Sequence, residues 1–145
     1  MKVLIGVGNE MNGDDGIGVY VAKNFRHENW VAIDCETVPE NYIGEIGKYK
    51  PEEIVIVDAS DMGLKPGSIR RIPKEKIGRA SFSTHSIPLS LFMSHIEELF
   101  HSKVHLIGIQ PKSMYGEISE EVKGAGKKLI EYIKSGRVEE IEELK

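Results

Sequence analysis

The sequence predicts an α/β fold: a three-layer sandwich with a twisted, mostly parallel sheet of about five strands and helices on both faces. Short apolar runs alternate along the chain with segments of helical periodicity, an order typical of parallel sheets. Two of the runs, residues 3–7 and 54–57, contain no polar side chain, as in strands covered on both faces. The 145 residues, without a repeat or linker, predict one domain over residues 1–145.

The first half of the chain predicts three strands separated by two helices. The strands are 3–7, Trp30–Asp34 and 54–57, and we expect Asp58 to end the third. The first helix runs from Gly16 to about His27, because apolar residues recur there at helical spacing. The second helix opens at Pro39 and buries the apolar side chains of Ile43, Ile46 and Tyr49.

The second half predicts an edge strand, a central strand and two more helices. A turn over 61–67 precedes the edge strand 68–72, and a loop then runs to about Ile87. The next helix begins at Pro88, and its predicted buried stripe is Leu89, Phe92, Ile96 and Leu99. Strand 104–109 follows, and the last helix is capped by Ser119 and stopped by Gly136. We expect the acidic tail from Glu139 to be solvated or frayed.

Composition and charge exclude several classes of protein. Hydrophobic residues make up 40% and charged residues 29%, enough apolar material for a core and too much for a disordered chain. No apolar run approaches the roughly 20 residues of a membrane span, and the first residues do not resemble a signal peptide. The net charge of −4, without a basic stripe, argues against nucleic acid as a partner. The single cysteine excludes an internal disulfide and favours the cytoplasm.

Polar residues that follow the strands are the candidates for chemistry, since ligand sites of parallel sheets gather at the carboxyl ends of strands. Gly6 and Gly8 begin a dinucleotide-binding pattern, but Met11 stands where its third glycine belongs. Asp14 and Asp15 would also repel a phosphate at the start of the helix. An acidic loop suits a cation better, and we expect one of the two aspartates only to cap the helix.

Two further residues could join this acidic loop. Asp58 follows the most apolar strand, whereas Asp61 is the better candidate for a turn residue. His85 stands in a polar run just before a helix, a position that distinguishes it from the other histidines. Asp15, Asp58 and His85 could therefore converge on one rim of the sheet. Two carboxylates and an imidazole form an open ligand set for Ni²⁺, Zn²⁺ or Mn²⁺, with positions left for water or a partner's groups.

Nucleophilic catalysis finds little support in the sequence. No Gly-x-Ser-x-Gly segment is present, and Ser83 and Ser86 lie too near His85 in the chain to pair with it. Cys35 has Glu36 beside it, and a neighbouring carboxylate raises the pKa of a thiol. We therefore expect Cys35 to be a buried structural cysteine.

Taken in order, these segments resemble the nickel–iron hydrogenase maturation proteases, from Val3 to the last helix. The shared motifs are residues 6–9, 13–18, 57–59, 84–85 and 108–111. Residues 39–41, 58–67 and 84–89 look most like the formate-hydrogenlyase branch of the family. One departure is visible: Cys35-Glu36 stands after Asp34 where many relatives have a Gly-Gly pair, so the backbone of this loop need not behave as theirs does.

The resemblance implies a cytoplasmic endopeptidase. Such enzymes remove a C-terminal extension from the precursor of the hydrogenase large subunit after nickel has been inserted. The family's three metal-contacting residues carry over to Asp15, Asp58 and His85. The nickel would arrive with the substrate, and no organic cofactor is expected. Asn9 and Gln110 could orient ligands or the peptide, or they could make ordinary loop hydrogen bonds.

Several points stay open at the level of sequence. The trio could polarise the scissile carbonyl through a shared ion, or either aspartate could act as general base toward water. Two other functions also fit: a hydrolase of small molecules with its own divalent ion, and a non-catalytic nickel-sensing chaperone of the hydrogenase precursor. We expect the chain to be a monomer.

Overall fold

The computed structural model describes residues 1–79, 81–82 and 88–145. The strands of this part are β1 (Lys2–Gly6), β2 (Trp30–Asp34), β3 (Glu53–Asp61), β4 (Ile69–Arg71), β5 (Ser81–Phe82) and β6 (Lys103–Ile109). Its α-helices are α1 (Ile17–Asn24), α2 (Ile43–Gly47), α3 (Leu89–Phe100) and α4 (Glu120–Lys134). Short 3-10 turns occupy Gly13–Gly16, Pro39–Tyr42, Lys74–Arg79 and Val138–Glu140. No helix among the described residues is long and apolar enough to cross a membrane.

The sheet has the order β2-β1-β3-β6-β4, and its first four strands are parallel. β4 runs antiparallel to β6 at one edge, as the sequence predicts for an edge strand. β5 pairs antiparallel with the last two residues of β3, beyond the main sheet. The predicted mostly parallel sheet of an α/β fold is confirmed, and β1, β3 and β6 finish at the same end of it.

Two apolar layers separate the sheet from its helices, because successive side chains of each strand point to opposite faces. One layer, beneath α1 and α4, contains Leu4, Val55, Val57 and Ile107. The other, beneath α2 and α3, contains Ile5, Ile54, Ile56 and Leu106. The predicted three-layer arrangement follows from this alternation.

The third strand is longer than predicted, and Asp58 does not end it. Asp58 and Ala59 still pair with Gly108 and Ile109 of β6, and β5 then pairs with the residues up to Asp61. A polar side chain on one face does not interrupt the backbone ladder. The predicted loop to Ile87 likewise contains the turn Lys74–Arg79 and β5, which its sequence does not signal.

Helix α3 buries a different residue at its end from the one predicted. Leu89, Phe92 and Ile96 are buried as expected, but Leu99 is 51% exposed. Phe100 packs against this apolar layer instead. The reason is the helical period, since a position eleven residues after Leu89 completes three turns and a position ten residues after it does not.

The C-terminal segment is ordered against the sheet, so the expected frayed tail is wrong. Ile141 and Leu144 are buried, and the main chain of Arg71 in β4 donates to Glu142 and accepts from Leu144 at 2.9 and 3.0 Å. Apolar residues spaced among the glutamates provide the anchor. Gly136 ends α4 with φ of 71°, as predicted.

Candidate functional site

The candidate site lies where β1 and β3 end, because the chain leaving β1 stays beside β3. The Val7 amide donates to the Val57 carbonyl at 3.0 Å. The start of α1 is pressed onto the same place: a Cβ on Gly18 would lie 2.4 Å from the carbonyl oxygens of both Val7 and Val57. Glycine alone permits this approach, which seats the turn Gly13–Gly16 against β3.

Asp15 lies in this turn and is only 2% exposed. The amide of Asn9 donates to its Oδ2 at 3.2 Å. Gly8 makes the wrapping possible, because its φ is 146° and a Cβ there would lie 2.0 Å from the Asp15 carbonyl oxygen. The Gly8-Asn9 segment, which belongs to the incomplete dinucleotide-binding pattern, therefore encloses the carboxylate of Asp15.

Asp58 is fully buried in β3, beside Gly108 of β6. By strand alternation its side chain lies on the same face as Ile54 and Ile56, the face covered by α2 and α3. Asp15 comes from the turn packed on β3, so two separate elements deliver buried carboxylates to one end of the sheet. Such a pair is costly to bury unless hydrogen bonds or a cation compensate its charge.

His85, the third residue of the predicted trio, lies outside the described residues. Its convergence with Asp15 and Asp58 therefore stays a prediction. The described chain around it fits that prediction: Phe82, three residues earlier, pairs with Ser60, two residues beyond Asp58. Among residues 1–79, 81–82 and 88–145, no three His, Cys, Asp or Glu side chains are grouped to hold a metal ion.

Asp14 is the structural member of the aspartate pair. Its fully buried carboxylate accepts hydrogen bonds from the amides of Lys112, Ser113 and Ser119, at 2.7 to 3.0 Å, and from the Ser119 hydroxyl at 2.9 Å. Burial alone would raise the pKa of Asp14, but these donors hold the pKa below its usual value. Ser119 occupies the N-cap position of α4, as predicted, but its side chain bonds Asp14 and makes no cap bond.

Gln110 uses its side-chain amide inside the protein. Its Oε1 accepts from the amides of Met62 and Leu64 at 2.7 and 3.2 Å, and its Nε2 donates to Asp61 at 3.2 Å. This geometry favours the loop-bonding alternative for Gln110 over contact with a peptide. Asp61 is the last residue of β3 and not part of the predicted turn, although its Oδ1 accepts from the Gly63 amide as in an Asx-type turn. The donors Gln110 and Gly63 lower the pKa of Asp61.

Asn9 lies beside a groove at the rim. Its Oδ1 accepts from the Met11 amide at 2.9 Å, which shapes the loop. The groove, about 310 Å³ in volume, runs between this loop and the chain after β2, and its lining includes Asn9, Glu10, Asp34 and Glu36. A substrate contact by Asn9 is compatible with this position and stays a prediction. Nothing in the sequence signals the groove, because its two walls come from separate loops.

Cys35 is fully buried, as predicted for a structural cysteine. Burial raises the pKa of its thiol far above the usual value, and the charges of Asp34, Glu45 and Glu36 add to that effect. The thiolate needed for nucleophilic attack is therefore not accessible.

The sequence matches a known protein family and its members. The model of a family described as hydrogenase maturation protease matches residues 18–135. The hydrogenase 3 maturation protease of Escherichia coli K12 is 39% identical over 129 residues, which cover 85% of this chain and 82% of that protein.

Solved structures agree with the sequence matches. The solution structure of an endopeptidase, HycI, from Escherichia coli superposes with a TM-score of 0.87 at 34% identity, covering 100% of this chain and 97% of that one. The crystal structure of a [NiFe] hydrogenase maturation protease from Thermococcus kodakarensis gives 0.81 at 34% identity, covering 93% and 90%.

Proposed function

The chain belongs to the hydrogenase maturation protease family and is a peptidase, and we propose that it removes the C-terminal extension from the precursor of a nickel–iron hydrogenase large subunit. Cleavage follows nickel insertion in this proposal, and the nickel ion belongs to the substrate. The observation that supports it is the pair of buried carboxylates, Asp15 and Asp58, delivered by separate elements to one end of the sheet.

The chemistry of the donors fits an ion brought by the substrate. Carboxylate and imidazole ligands suit Ni²⁺, and three of them leave coordination positions for substrate thiolates. Asp15, Asp58 and His85 would complete the coordination of a nickel already held by the precursor. A precursor without nickel offers nothing for these side chains to bind. Cleavage therefore occurs only after nickel has been inserted into the precursor.

The reacting peptide bond would be held beside the same side chains. The shared ion orients and polarises the scissile carbonyl, while the carboxylate oxygen of Asp15 or Asp58 that does not bind the ion takes a proton from the attacking water and passes it to the leaving amine. The buried rim excludes most other water, which strengthens each of these electrostatic contacts. The thiol of Cys35 has no part in this mechanism.

We also propose a cytoplasmic location and a chain that acts as a monomer without an organic cofactor. A single buried cysteine suits a reducing compartment, where thiols stay free. The macromolecular partner in this proposal is the hydrogenase precursor alone.

Substitution of one site carboxylate tests the proposal. Asp58→Asn keeps the shape of the side chain but removes the charge that meets the ion, so processing of the nickel-loaded precursor should fall at least about a hundredfold. The rate is measured by mass spectrometry of the precursor, and circular dichroism checks that the variant is folded.

Asp61→Asn is the matched control, because Asp61 is the exposed last residue of the same strand. It should process the precursor at the wild-type rate. Full activity of Asp58→Asn would remove that residue from the site, and a wild-type protein that leaves the nickel-loaded precursor intact would refute the proposed function.

A further inference from the structure

The two edges of the sheet differ in what covers them. At the β4 edge, the main chain of Arg71 is bonded to the C-terminal segment through Glu142 and Leu144. At the other edge, β2 pairs with β1 alone among the described strands. Most of its residues are partly exposed, whereas those of β1 are nearly all buried. An uncovered strand edge is a template for pairing with another extended chain.

The register shows which groups of β2 face outward. Asn29 accepts from the Lys2 amide, and the Cys35 amide donates to Gly6, so odd-numbered residues bond to β1. In a parallel ladder the even-numbered residues then point their N–H and C=O groups away from β1. In the described part of the chain, the structure gives the outward main-chain groups of Ala32 no partner. The strand also lacks the lysine or proline that often protects such an edge.

Two grooves lie along this edge, a far part and a rim part. The far part, about 380 Å³, lies between the end of α1 and β2, and its lining includes Trp30, Ala32 and Asp34. Asp34 also lines the groove of about 310 Å³ at the rim, beside Asn9. Asp34, at the carboxyl end of β2, lines both grooves and lies at the same end of the sheet as the candidate site.

Charge distinguishes the far part of the groove from the rim. Lys23, Arg26 and His27 line the far part, whereas Glu10 and Glu36 line the rim part, and Asp34 lines both. Lys23 forms an exposed ion pair with Glu10 at 2.8 Å, a contact that adds little net stability. Arg26 also lines the far part, and among the described residues it has no carboxylate within ion-pair distance. A peptide lying along the edge would thus meet positive charge away from the rim.

We propose that the open edge of β2 binds an extended segment of the protein substrate as an added strand, with an acidic side chain of that segment beside Arg26. The proposal rests on the proposed function, because an endopeptidase must hold an extended chain across its site. Main-chain hydrogen bonds to β2 supply affinity, and the groove beside Trp30 and Ala32 accepts alternate side chains. The added strand ends at Asp34, where the rim groove leads on toward Asp15.

Blocking the edge tests the proposal. Ala32→Pro removes an outward N–H and obstructs a neighbouring strand, while the bonds of β2 to β1 remain. With nickel-loaded precursor, its KM should rise about tenfold and its kcat should stay within about threefold of wild type. An unchanged KM in a folded variant overturns the proposal. A wild-type protein that does not process this precursor refutes the proposed function, and this inference falls with it.

A charge change provides a second, independent variant. Arg26→Glu is exposed and folds without cost to the core, and it should raise KM several-fold. Lys127→Glu on α4 is the matched control, since it changes the net charge equally on an exposed face away from the groove. If Ala32→Pro fails to fold, Arg26→Glu decides, and a KM equal to that of Lys127→Glu overturns the proposal.

A second copy of the chain is the competing occupant of the edge. Sedimentation of the wild-type protein and Ala32→Pro distinguishes it. We expect both to sediment as monomers. A wild-type dimer that Ala32→Pro dissociates would assign the edge to self-association and overturn the proposal.

Discussion

Asp14 and Asp15 are neighbours in the chain with opposite roles in the structure. The carboxylate of Asp14 accepts hydrogen bonds from the amides of Lys112, Ser113 and Ser119. These bonds tie the segment before α4 to the turn before α1. Asp15 is enclosed by the loop after β1, where the Asn9 amide donates to it, and it is a ligand of the ion in the proposed function. The hydrogen bonds of Asp14 therefore help to hold the turn in which Asp15 lies.

Asp14→Asn should lower the free energy of unfolding at pH 7 by about 2–3 kcal/mol, because the amide cannot accept four hydrogen bonds as a carboxylate does. The native pKa of Asp14 lies below its unfolded value. Its stabilisation is therefore complete above an unfolded pKa of about 4 and is lost as the pH falls through the lower native pKa. Urea unfolding of both proteins should show the difference shrinking from pH 7 to pH 3.

A difference between wild type and Asp14→Asn that grows on acidification would contradict this account of Asp14. Asp15→Asn is the comparison variant, since it has the same chemistry one position along. It should lose processing activity and keep most of its stability.

At this scale the sequence predicts that one aspartate of the pair only caps the helix. Among the described residues, however, no side chain makes a cap bond at α1, and Asp14 instead bonds the segment before α4. These donors lie about 100 residues away in the chain, which no local pattern reports. The same holds for Gln110, whose partners Met62 and Leu64 lie on a distant loop. Cys35 was predictable, because an apolar strand leads into it.

In the second half of the chain, the extent of each element depends on partners that are distant in the sequence. β3 continues past Asp58 because β6 and β5 offer it partners. The C-terminal segment is held because β4 offers it an edge and an apolar layer receives Leu144. The glutamates of that segment predict that it is solvated. The buried side chains of Ile141 and Leu144 nevertheless hold it against the sheet.

Leu144→Ala should reduce the free energy of unfolding by about 2 kcal/mol, since a side chain only 7% exposed leaves a cavity at the β4 edge. Chemical denaturation measures the change. Leu91→Ala is the control: that leucine is 59% exposed on α3, so its loss should cost less than about 0.5 kcal/mol. Equal effects of the two substitutions would mean that the C-terminal segment does not contribute to stability.

The whole molecule brings Asp15 and Asp58, the carboxylates of the proposed site, to one end of a mostly parallel sheet. Apolar strands and helical periodicity predict this architecture because they are repeated in every element, so errors at single boundaries do not change it. The site depends on three segments far apart in the chain, and the predicted trio came from the rule that ligands gather at carboxyl ends of strands. The grooves could not be predicted, because each lies between elements whose approach depends on glycines such as Gly18.

The nickel dependence of cleavage is the decisive test of ion recognition at the proposed site. The measurement is the single-turnover rate of processing, with enzyme in excess, for the same precursor prepared with and without nickel. We expect rapid loss of the C-terminal extension from the loaded precursor and none from the nickel-free one. Equal rates on the two precursors would contradict recognition of the ion by Asp15, Asp58 and His85.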